Sequence, residues 1–108
     1  MPDALLALCT VPDVATGDVI AQALVGERLA ACVNRLPGVV STYRWQGRVE
    51  TGEELLLLIK TRATLFDALK ERILALHPYE LPEVIAVGID LGLDRYLDWI
   101  ASETAPPA

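Results

Sequence analysis

Three side chains could offer a soft or imidazole ligand: Cys9, Cys32 and His77, the two cysteines and the single histidine of the 108-residue chain. Copper stands at the top of the Irving–Williams order, and thiolate and imidazole both suit it. Two cysteines and one histidine are too few for a disulfide framework or a Cys₄ zinc site. Each residue also has a plainer role. Both cysteines sit in apolar, strand-like surroundings, where free Cys acts as a small buried hydrophobe. His77 falls at the end of a helical pattern, where an imidazolium favours the macrodipole. Glu80 and Glu83 flank Pro82 and could act as a carboxylate pair, although two solvated charges explain them as well. No nucleophile with a neighbouring base, phosphate-binding glycine loop or nucleophile elbow is legible, so the chain is expected not to be an enzyme.

The elements that must carry these residues follow from periodicity. Ala4 to Thr10 is an apolar strand, and Pro12-Asp13 marks a turn. Asp13 or Thr16 is the expected cap of a helix running to about Leu29, with Val19, Ile20, Ala23 and Leu24 at helical spacing. From Cys32 to Trp45 the pattern is extended, and Leu36-Pro37-Gly38 predicts an edge position or a bulge. Gln46-Gly47 reads as a tight hairpin turn. The return arm runs from Arg48, kinks at Thr51-Gly52 and continues to Ile59. Thr64 is the expected cap of a second helix with Phe66, Leu69, Ile73 and Leu76 on one face, ending before Pro78. Val84 to Ile89 is a fourth strand, and a short helix spans about Tyr96 to Ser102 before an irregular tail at 104–108. One domain over residues 1–108 is expected, an α+β chain with the order β-α-β-β-α-β plus a C-terminal helix. That order is the ferredoxin-like, or split βαβ, sandwich, with two helices on one face of a four-stranded antiparallel sheet.

The strands are apolar on both faces. Leu5, Ala7 and Cys9 interleave with Ala4, Leu6 and Leu8, and Leu55 to Ile59 and Val84 to Ile89 behave likewise. Two helices cover one face only, and a bare patch of several hundred Å² forgoes roughly 10 kcal/mol or more of burial. A second copy of the same chain is therefore the expected partner. Hairpin arms of about fifteen residues outreach a helix of ~20 Å, so the tip, with Tyr43, Arg44, Trp45 and Arg48, is expected to meet a neighbouring subunit.

Composition excludes several classes. Hydrophobic residues make up 53% and charged residues 22%, which rules out intrinsic disorder. Fifteen acids against nine bases give a net charge of −6, so there is no basic stripe to meet nucleic acid. No apolar run approaches the ~18 residues that cross a bilayer. The acidic start, Met1-Pro2-Asp3, lacks the basic region of a secretory signal, so a cytoplasmic location is expected.

In order along the chain, Cys9-Thr10-Val11-Pro12-Asp13, Leu29-Ala30-Ala31-Cys32-Val33-Asn34, Leu36-Pro37-Gly38, Tyr43-Arg44-Trp45-Gln46-Gly47, Leu58-Ile59-Lys60-Thr61, His77-Pro78-Tyr79-Glu80-Leu81-Pro82-Glu83 and Tyr96-Leu97-Asp98-Trp99 resemble the consecutive blocks of the CutA family, the divalent-cation tolerance proteins. The resemblance covers about residues 5–102. It implies a ferredoxin-like homotrimer similar in shape to the PII signalling trimers, and an association with copper binding and divalent-metal tolerance. It also implies a copper site from Cys9 and His77. Leu76 stands where a second histidine can occur, so the intrachain pair is two-coordinate and suits Cu(I), unless Glu80 or another subunit completes it. An alternative is a PII-like trimer that binds a small, anionic molecule in clefts between subunits. Tyr43, Trp45, Lys60, His77 and Glu80 are expected there, with Trp45 as a flat wall and Lys60 meeting the anion. No organic cofactor is implied.

Overall fold

A computed structural model describes residues 3–106, so Pro107 and Ala108 of the expected irregular tail lie outside the described residues. Four strands and three helices alternate as β1 (Ala4–Val11), α1 (Val14–Gly26), β2 (Cys32–Trp45), β3 (Arg48–Arg62), α2 (Phe66–Leu76), β4 (Ile85–Gly88) and α3 (Asp94–Glu103). The sheet is antiparallel in the order β2-β3-β1-β4. This is the expected split βαβ arrangement, with the two central strands each flanked by the strand that closes a crossover.

Alternation along β1 and β3 divides the sheet. Ala7, Cys9, Val11, Leu57 and Ile59 point to one face, where Ile20 and Leu24 of α1 and Leu69 and Ile73 of α2 complete a buried core. Leu6, Leu8, Leu56 and Leu58 point the other way and are only half-buried. α3 covers one end of this second face. The guanidinium of Arg62 donates to the Thr104 hydroxyl at 2.8 Å and carbonyl at 2.9 Å, and Ile100 is fully buried. Beyond α3 the face stays open. Ile85 and Val87, paired in register with Leu8 and Leu6 at the β4 edge, are more than half exposed.

Local chemistry explains where elements begin and end. The Asp13 carboxylate caps α1 by accepting the Thr16 N–H at 2.8 Å. α1 stops at Gly26, short of the expected Leu29, because the chain reverses through Arg28 in the left-handed region (φ 62°). The Leu29 and Ala30 N–H groups then both return to the Leu24 carbonyl. Thr64 is not the cap of α2. It lies inside a 3-10 turn (Ala63–Leu65) that leads into the helix without a side-chain cap. α3 begins two residues before the expected Tyr96, and the tail is not irregular at its start: Thr104 is buried and its hydroxyl donates to the Ile100 carbonyl at 2.7 Å.

The hairpin turns at Gln46 and Gly47, with φ of 50° and 79°, the paired positive values that a two-residue turn requires. β3 runs through Thr51-Gly52 without the expected kink. The irregularity is on β2, an edge strand, where Pro37 and Gly38 stand opposite the single residue Leu55, a two-against-one bulge with Gly38 at φ 80°. The long hairpin draws the molecule out to 44 Å in its longest dimension.

Candidate functional site

β1 delivers Thr10 to the end of the open face, and α2 ends beside it at His77. The His77 amide closes the helix by donating to the Ile73 carbonyl at 2.8 Å, after which Pro78 forbids another turn. The ring is nearly buried, at 8% exposure, and both its nitrogens have partners. Nε2 lies 2.8 Å from the Thr10 carbonyl oxygen, and the Tyr79 amide donates to Nδ1 at 3.1 Å. The ring's hydrogen bonds run to β1 and to the following loop, not to the last carbonyls of α2 as its sequence position suggests.

Cys9 is fully buried on the core side, and its thiol donates weakly to the same Thr10 carbonyl at 3.6 Å. Burial, reinforced by the negative charges of Glu83 and Glu54, pushes the thiol up to about 12, so it is not a thiolate at neutral pH. Neither member of the expected copper pair is poised for a metal in this structure: the sulfur holds its proton and both imidazole nitrogens are engaged. Among the described residues, no three His, Cys, Asp or Glu side chains are gathered to hold a metal ion. Cys32 opens β2, half-buried and opposite Lys60 in register.

The hairpin and the loop after His77 flank an open cavity of about 690 Å³ at the Thr10 end of the open face. Tyr43 and Trp45 come from the hairpin, Glu54 from β3, and Tyr79, Glu80 and Glu83 from the loop. The Tyr79 hydroxyl donates to Glu54 Oε2 at 2.8 Å, tying the loop to β3. Partial burial and this acidic neighbour hold the phenol above its usual range. The His77 and Tyr79 rings pack with centroids 4.6 Å apart. Three carboxylates against one lining cation, Arg44, make the cavity electronegative.

Tyr43, Trp45 and Glu80, expected in a cleft between subunits, line this one cavity within the chain, and His77 packs against the Tyr79 ring of its wall. Lys60 is not with them. It lies six residues along β3 from Glu54, roughly 20 Å at strand spacing, where its ammonium bonds to Asn34. Thr10, Glu54, Tyr79 and Glu83 were not selected from sequence as cleft residues. Tyr79 and Glu83 do fall within the His77–Glu83 block, whereas Glu54 carries no local signal.

The architecture is thus a split βαβ sandwich with an oversized hairpin and a cleft under its arm. Residues 5–103 match the family described as CutA1 divalent ion tolerance protein, and the chain belongs to that family. It is 55% identical over 97 residues to the divalent-cation tolerance protein CutA of Thermus thermophilus, spanning 90% of this chain and 94% of that protein. It is 47% identical to the chloroplastic CutA of Arabidopsis thaliana but covers only 52% of that longer protein. The crystal structure of CutA from Xylella fastidiosa superposes with a TM-score of 0.93 at 53% identity, covering 95% of this chain and 99% of the other.

Proposed function

We propose that this chain is a non-enzymatic divalent-cation tolerance protein that assembles as a homotrimer and takes a small cationic ligand in the cavity beneath its hairpin. The observation that carries this reading is the cavity itself, walled by Glu54, Glu80 and Glu83 and by the rings of Tyr43, Trp45 and Tyr79. Carboxylates attract a hydrated divalent ion such as copper, and aromatic faces add cation–π attraction for an organic ammonium group. Self-association is supported by the open apolar face, where Ile85 and Val87 stay exposed, and the number three rests on the family.

Lys60 sits away from the cavity, leaving Arg44 as its single lining cation against three carboxylates, which disfavours the anionic-ligand reading. A PII-like role as a small-molecule-binding trimer remains the second reading. Its support is the cavity volume, which falls within the range of small-molecule sites, together with the aromatic walls. Calorimetric titration with Cu(II), Zn(II) and spermidine, on wild type and on Glu83→Gln and Trp45→Ala, tests the cationic reading. Weaker binding in both variants is expected, and binding that neither variant alters would defeat it. Thermal shift with anionic metabolites tests the second reading. A solution mass of one 11.7 kDa chain would remove the trimer.

A further inference from the structure

We infer that His77 is a positioning residue and not a metal ligand: a neutral imidazole, protonated at Nε2, that clamps the end of β1 to Tyr79 and so sets the wall of the cavity. The assignment follows from what its partners can do. A backbone carbonyl only accepts, so the nitrogen 2.8 Å from the Thr10 oxygen must carry a hydrogen. A backbone N–H only donates, so Nδ1, which receives the Tyr79 amide at 3.1 Å, must present its lone pair. The two bonds consume the donor and the acceptor of a neutral ring, leaving no nitrogen for a metal.

The clamp is placed where it matters. Pro78 offers no amide, so the Tyr79 N–H is the first donor available after His77. Fixing it turns the Tyr79 ring against the imidazole and brings its hydroxyl to Glu54. Cys9 adds a second, weaker donor to the Thr10 carbonyl, so the residue expected to share a metal with His77 instead shares its acceptor. The tautomer is independent of what enters the cavity, while the positioning role rests on the cavity reading given above.

Because His77 is the only histidine, ¹⁵N-histidine labelling yields one imidazole spin system per chain. We expect the ligand-free protein at neutral pH to show a protonated Nε2 and an unprotonated Nδ1, unmoved by one equivalent of Zn(II) or of Cu(I) under reductant. In His77→Ala the Tyr79 amide should exchange with solvent at least tenfold faster, whereas Tyr79→Phe should keep that amide protected. Cys9→Ala should leave copper affinity within threefold of wild type. A reversed tautomer, a metal-induced shift of Nδ1, an unchanged amide in His77→Ala, or a tenfold loss of copper affinity in Cys9→Ala would overturn the assignment. The tautomer is read on wild type, so a His77→Ala chain that fails to fold leaves it decidable. A wild type that binds no cation would remove the proposed function without touching the tautomer.

Discussion

The Cys9 thiol and the His77 imidazole converge on one atom, the Thr10 carbonyl oxygen, at 3.6 and 2.8 Å. A carbonyl has two lone pairs, and here both meet side chains, one from β1 itself and one from the end of α2. The convergence ties the core face of the sheet to the cavity loop.

The buried thiol predicts behaviour at alkaline pH. Its value in the fold lies above the ordinary thiol range, so its contribution to stability is complete below about pH 8.5 and is lost as pH rises toward 12. The full span corresponds to roughly 4 kcal/mol. Denaturant midpoints measured from pH 7 to 11 should fall for wild type and fall less for Cys9→Ala. A thiol reagent at pH 8 should leave Cys9 unlabelled in the native protein and label it in guanidinium.

Thr61 is fully buried, and its hydroxyl donates to the Leu29 carbonyl at 2.7 Å, holding the α1–β2 connection against β3. Thr61→Val keeps the shape and orphans that carbonyl, so urea denaturation should show a loss of about 1–3 kcal/mol. Thr61→Ser keeps the bond and should lose less.

Arg28 reaches across to the last turn of α3, donating to the Ser102 carbonyl at 2.7 Å and the Glu103 carbonyl at 3.3 Å. Removing it should raise hydrogen exchange throughout α3 before the rest of the sheet. Its left-handed backbone adds a second expectation. Arg28→Gly should be more stable than Arg28→Ala, by about 1 kcal/mol, because only glycine adopts that conformation freely.

Asp13 links α1 to acid. Its bond to the Thr16 amide holds the carboxyl below the usual carboxylate range. The stabilisation is therefore present above about pH 4 and fades as pH falls through the lowered value. Asp13→Asn should keep the cap and flatten that acid slope in thermal melts, while Asp13→Ala should lower Tm at every pH.

The fold was legible because its signals are local. Apolar runs located the strands, Gln46-Gly47 marked the turn, and Pro37-Gly38 marked the break in β2. What misled was chemistry that depends on distant partners. Thr64 has the composition of a cap, but the chain enters α2 through a 3-10 turn instead. Thr104 looks like the start of a loose tail until Arg62, 42 residues away, bonds to it. The site divides in the same way. Tyr43, Trp45 and Glu80 stand out by type, whereas Glu54 gains its role only from the Tyr79 hydroxyl, and within one chain the register of Lys60 puts it beside Asn34 and away from the cavity.

The extra residue in the Pro37-Gly38 bulge governs which way the aromatic arm looks. Up to Leu36, even-numbered positions of β2 share a side with Leu56 and Leu58; past the bulge, Val39, Ser41, Tyr43 and Trp45 take over that side, opposite Glu54, Gly52, Glu50 and Arg48. One added residue beside Leu55 would instead pair both Pro37 and Gly38 and turn the distal ribbon over, sending Tyr43 and Trp45 to its reverse and bringing Thr42 and Arg44 round in their place. The phase of the whole arm, and with it the lining of the chamber, is thus set by a one-residue miscount between two paired strands.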